Sequence, residues 1–249
     1  MKSKYHYEKV KKVFKSEGFL IVYIGILLLN IISLITNIGE SYFESLLLVA
    51  GDYYNYILFC ILAFSGFTVS KIYSKNFEMI LRYKSKKEYL DNLVKINSIV
   101  TAVIILLSFM ISIILFTLNY LGEYEIITYN SYQMNILSYY IFFIVRYIII
   151  ACLISNIFML LYKNIGVTIT SLLVVFFLFL MYGPVYKAAI VESFKDVTLL
   201  PGYFLSIKAY SNFGLEVSAS LLMILILLII NVLLYNITIK RKNNNFLIS

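Results

Sequence analysis

Residues 217–239 read VSASLLMILILLIINVLLYNITI, a run without a single charged side chain. A helix rises about 1.5 Å per residue, so about 20 apolar residues carry it across about 30 Å of hydrocarbon. Lipid offers no partner to a peptide group, so a run of this kind satisfies its backbone internally, as a helix. Reading outward from it, five further runs meet the same length: 19–38, 53–72, 96–120, 136–162 and 165–186. The fold expected is all-α, a polytopic membrane protein with six transmembrane helices, with residues 1–249 forming one membrane-embedded domain.

Composition agrees. Of 249 residues, 61% are hydrophobic and 14% charged, with a mean hydropathy of +0.89. A soluble domain is usually about 45–50% apolar and about 25% charged. A soluble core of this size has no room for that much apolar surface. The net charge is +8. In a soluble chain this would raise nucleic acid as a partner; here the basic residues occupy short connections between apolar runs, which points to anionic headgroups and excludes nucleic acid. Lysines 2, 4, 9, 11, 12 and 15 precede the first run, and Lys71, Lys75, Arg82, Lys84, Lys86, Lys87 and Lys95 follow the second. Lys163 lies in the fourth connection, and Lys240, Arg241 and Lys242 in the tail. These alternate connections belong to one side, and the positive-inside rule makes it the cytoplasm, with both ends inside. The other connections hold Glu40, Glu44, Asp52, Glu123, Glu125, Glu192, Asp196 and Glu216. The first run is too long for the apolar core of a cleavable signal peptide. Cys60 and Cys152 lie singly inside apolar runs and are expected to pack as small apolar residues.

Four features bear on function. Val10, Val13 and Phe14, with His6, share a helical face in 5–15, which predicts an amphipathic elbow helix at the inner interface. The second inner connection, YSKNFEMILRYKSKKEYLDNLVK at 73–95, is the longest on its side. Phe77, Ile80 and Leu81 make a one-turn apolar stripe, and Arg82, Lys84, Lys86 and Lys87 follow in a basic turn. Tyr89, Leu90, Leu93 and Val94 then resume a helix lying parallel or oblique to the membrane and leading into the third run. Such a projecting helix fits a partner's groove; a loop serving orientation alone is the simpler reading. The outer connection 183–216 contains both prolines, Pro184 and Pro201, and its apolar stretches are too short to span, which predicts a re-entrant or interfacial cap. Arg146 is the one charge inside a span, about 15 Å from its outer end, and is expected to face a bundle interior, a substrate groove or a subunit seam. Asn30, Asn119, Asn156 and Asn231 also lie in spans and are expected to bond between helices. Twenty-three tyrosines and no tryptophan leave the interfacial belts to Tyr, with Tyr139 and Tyr140 among the anchors near the outer surface. The sequence holds no GxxxxGK[ST] and no HExxH, and its single histidine rules out a histidine cluster, so neither a catalytic residue nor a metal ligand is assigned.

Taken together, six spans, a basic helical loop between the second and third, and a proline-bearing outer segment before the last resemble the permease subunit of a type-2 ABC exporter. The local resemblance lies in FEMILRYKSKKEYLDNLVK at 77–95, similar to that family's coupling helix, and in TLLPGYFLS at 198–206, similar to its re-entrant outer segment. The resemblance implies a half-size permease without fused ATPase, paired with a second copy or paralogue. It implies two separate ATPase subunits that hold ATP and Mg, with no cofactor in this chain. Phe77, Ile80, Leu81, Arg82, Lys84, Lys86 and Lys87 would make the partner-binding surface. The cargo implied is a hydrophobic or amphipathic peptide, toxin or antimicrobial crossing the plasma membrane. Two other classes fit the same topology: a membrane immunity or partner-binding protein that transports nothing, and the substrate-binding subunit of a vitamin importer.

Overall fold

Three N-caps fix where the long helices start. Ser85 Oγ accepts from the backbone N–H of Glu88 (3.1 Å), and helix α1, Lys86–Asn119, follows. Asn135 Oδ1 accepts from the N–H of Leu137 (2.9 Å) and opens α2, Ile136–Ile165. Asn212 Oδ1 accepts from the N–H of Leu215 (2.8 Å) ahead of α4, Phe213–Lys240. Each cap satisfies one of the amide donors that a first turn leaves over. Between α2 and α4 lies α3, Val167–Tyr182. It is separated from α2 by Gly166 alone, whose φ of 84° is reached without penalty only by a residue lacking Cβ.

The computed structural model describes residues 10–11, 13–16, 19–25, 27–28, 65–72, 85–119, 128–129, 134–182 and 212–240. Among them α1, α2 and α4 are long and apolar enough to cross a membrane. The expectation of a helical membrane protein holds, and three of the six expected spans have such a helix among the described residues. Helical residues 19–25, 27–28 and 65–72 fall in the first and second apolar runs. At 16 residues, α3 reaches about 24 Å, short of the hydrocarbon thickness over its described length. Phe77, Ile80, Leu81, Arg82, Lys84 and Asn30 lie outside the described residues, as does the outer segment 183–211. Two-residue strands β1, Thr128–Tyr129, and β2, Met134–Asn135, pair antiparallel just before α2.

Contacts between the long helices give their directions. Asn97 on α1 meets Asn156 on α2, while Phe109 further along α1 meets Tyr140 nearer the start of α2, so the two run antiparallel. Glu216, Asn231 and Thr238 on α4 meet Arg146, Leu153 and Asn164 on α2 in the same order, so these two run parallel. Lys86 Nζ donates to the carbonyl of Ile239 (3.2 Å), and Tyr235 bonds Asp91, so α1 and α4 are antiparallel.

The core gathers on α1 and α2: Leu93, Ile96, Val100, Ile104 and Ile105 of α1 pack with Phe143, Tyr147, Ile150, Ile154 and Phe158 of α2. Half of the apolar window in each of these helices is buried, against 17% in α4, so α4 lies at the periphery. The segment 65–72 approaches α2 closely: a Cβ on Gly66 would stand 3.0 Å from the Ser155 carbonyl oxygen. Near the N-terminus, Val13, Phe19 and Val22 are buried in the same core, with Val10 and Phe14 against it. The chain turns at Lys15–Ser16, where the Ser16 amide and hydroxyl both bond the Val13 carbonyl, and Phe14 stacks edge-on to Phe19 at 5.2 Å.

The basic turn expected to run through Lys87 ends sooner. Lys86 and Lys87 already belong to the first turn of α1, and Tyr89–Val94 continue without a break into the apolar length of the same helix. The cause is the Ser85-x-x-Glu88 pattern, which has the spacing of a capping box and starts the helix ahead of the apolar run.

Candidate functional site

Helix α2 carries polar side chains at two depths. Arg146 stands ten residues into the helix, about 15 Å from its start. Its guanidinium pairs with the carboxylate of Glu216, in the first turn of α4, and the two side chains are 2% and 1% exposed. The Tyr139 hydroxyl, two turns before Arg146, donates to the same carboxylate at 3.0 and 3.2 Å. Phe143 and Phe142 flank the guanidinium, with ring centroids 5.1 and 5.7 Å from its central carbon. The cation is thus held between a carboxylate and two π faces, an arrangement worth most where water is excluded. Glu216 is favoured further by its place at the positive end of a helix dipole.

The second depth lies one helical stretch further along. Asn97 Nδ2 donates to Asn156 Oδ1 (2.9 Å) and to Ser155 Oγ (3.0 Å), and Asn156 Nδ2 donates to Ser98 Oγ (2.8 Å). Ser65 Oγ stands 3.4 Å from Ser155 Oγ, so the segment 65–72 joins α1 and α2 at this point. Cys152 shares the seam through a contact of 3.4 Å to the Ser98 carbonyl. On the α4 side, Asn231 Nδ2 donates to the Leu153 carbonyl at 3.1 Å and Asn164 Nδ2 to Thr238 Oγ1 at 2.8 Å.

Arg146 and Asn156 therefore belong to separate sites on one helix, and Asn231 serves a third contact. Lys86 reaches α4 through the Ile239 carbonyl, capping one of the carbonyls that a helix end leaves unbonded; Lys87 is exposed. Tyr139 and Tyr140, expected as interfacial anchors, are both buried in the bundle, Tyr139 because its hydroxyl serves Glu216. Glu216, placed in an outer loop by its position before the last apolar run, belongs to α4 itself. Sequence reading misses its role because its partner is 70 positions away; the one signal is a lone intramembrane arginine in need of a counter-charge. Among the described residues no three His, Cys, Asp or Glu side chains gather to hold a metal. Chemically, the arrangement is a self-neutralised ion pair between α2 and α4 plus an uncharged amide seam between α1 and α2.

No family model, curated protein or solved structure matches this chain.

Proposed function

We propose that this chain is the permease subunit of an ATP-driven exporter of the type-2 ABC kind, half-size and without fused ATPase, embedded in the plasma membrane with both ends in the cytoplasm. The observation that carries the reading is the junction at Lys86. The basic segment 77–84 leads through the Ser85 cap directly into α1. There Lys86 bonds the end of α4, and Asp91 bonds Tyr235 on the same helix. Further along, Asn97 ties α1 to α2. A push on the segment before Ser85 would thus be delivered to α1 and α4 at one end, and to α2 eleven residues further along α1.

In this reading, closure of two partner ATPase subunits, which hold ATP and Mg, moves the helix around Phe77, Ile80, Leu81 and Arg82. The spans of this subunit and of a second permease copy or paralogue then open a path outward for a hydrophobic or amphipathic peptide. No bond is made or broken in this chain, so it needs no catalytic residue. Arg146 adds support, since a charge within an apolar span is costly and points to a functional site by default.

The test is co-purification with a free-standing ABC ATPase from the same cells, at two salt concentrations. Phe77→Ala with Leu81→Ala removes the apolar anchors, where interface energy concentrates, and should release the ATPase by about 30-fold or more in affinity. Lys87→Ala should weaken it only mildly and mostly at low salt, where an exposed charge is least screened and acts on encounter more than on final affinity. Full ATPase binding and coupled hydrolysis in the Phe77/Leu81 variant would remove the docking role and, with it, this function.

A further inference from the structure

Asn97 and Thr101 lie one turn apart on α1, both completely buried, with Asn97 about 16 Å along the helix from Lys86. The Nδ2 of Asn97 is used twice, toward Asn156 Oδ1 and Ser155 Oγ. Among the described residues its Oδ1 has no hydrogen-bond partner, and neither has Thr101 Oγ1. A buried hydroxyl in a helix can return to the carbonyl four residues back. On this same helix Ser112 Oγ donates in that way to the Ser108 carbonyl at 3.1 Å, and Thr117 Oγ1 to the Ile113 carbonyl at 2.7 Å. Thr101 does not. Two polar atoms, on residues one turn apart, are therefore buried without a hydrogen-bond partner among the described residues.

We infer that one water molecule is bound between Asn97 and Thr101, in the seam between α1 and α2. Residues four apart on a helix have Cβ atoms about 5–6 Å apart, a span that one water bridges at about 2.8 Å to each side. Internal waters occupy polar sites of this kind, where buried groups would otherwise go unbonded. The neighbouring amides narrow the ligand to water. If Asn97 and Asn156 both turn their amides over, the contact between them survives, because Ser98 Oγ both donates and accepts. The atom facing the site is then an N–H instead of an oxygen. Water answers either arrangement, whereas a cation needs the oxygen. A water at this position is independent of the exporter reading. It makes the α1–α2 seam a contact through an exchangeable molecule at the point where the two helices hold each other.

The test is a structure of the full chain in a lipid nanodisc, at a resolution that shows ordered solvent, for the parent, Thr101→Ser and Thr101→Val. The expected result is a density peak about 2.6–3.2 Å from both Thr101 Oγ1 and the Asn97 amide. It should be retained in Thr101→Ser and lost in Thr101→Val. A bound water is ruled out if the parent has no peak there, as when the Thr101 hydroxyl bonds the Asn97 carbonyl instead. It is equally ruled out by a peak with six or more oxygen neighbours at about 2.3–2.6 Å, which marks a cation.

Discussion

Helix α2 is held on two sides by different chemistry. Toward α1 it offers uncharged groups, with Asn156, Ser155 and Cys152 meeting Asn97 and Ser98. Toward α4 it offers, besides neutral contacts at Leu153 and Asn164, a full charge, with Arg146 against Glu216. Within a membrane, side-chain hydrogen bonds between helices average only about 0.6 kcal/mol, because alternative partners are easily found. A buried ion has no such substitutes, and losing its partner costs about 3–5 kcal/mol. The α1–α2 seam is therefore one that exchanges at small cost, and the α2–α4 seam one that holds or fails as a unit.

The largest effect should follow from breaking the charged seam on one side. Glu216→Leu leaves Arg146 buried without its carboxylate and should destabilise the protein by about 3–5 kcal/mol, read from thermal unfolding in detergent. Adding Arg146→Leu should recover most of that loss, since an apolar pair of similar volume needs no counter-charge. Losses that simply add would show that the two side chains do not act together. A smaller effect belongs to Tyr139→Phe, which keeps the ring and removes one bond to a charged acceptor, with an expected cost of about 1.5–3 kcal/mol in the same unfolding measurement. The neutral seam should respond least: Asn156→Leu removes its bonds to Asn97 and Ser98 and should cost about 1 kcal/mol. A larger loss for Asn156→Leu than for Glu216→Leu would reverse the comparison.

Much of this is legible in the sequence, and the exceptions have physical causes. The apolar runs at 136–162 and 217–239 mark α2 and α4 to within a few residues, because burial in lipid demands an unbroken apolar length. The start of α1 is not legible from apolarity, since its first turns, from Lys86 to Lys95, are amphipathic and extend beyond the run. The capping pattern at Ser85 and Glu88 marks that start instead. Arg146 is legible as a buried charge because few residues are so costly in a span. Glu216 is not, because it sits one residue outside the last apolar run and only the Asn212 cap brings it into the helix. Asn97 escapes notice for a related reason: it stands at the edge of its apolar run, yet eleven residues beyond the start of its helix.

We propose that these helices cross the membrane with the Lys86 end of α1 inside, where an ATPase would reach it. Single cysteines at two exposed positions, Lys87→Cys near the start of α1 and Ser138→Cys near the start of α2, test it most directly in a background lacking Cys60 and Cys152. Intact cells are treated with a membrane-impermeant maleimide. Ser138→Cys should be labelled in intact cells and Lys87→Cys only after the cells are opened. Labelling of Lys87→Cys in intact cells would contradict that orientation.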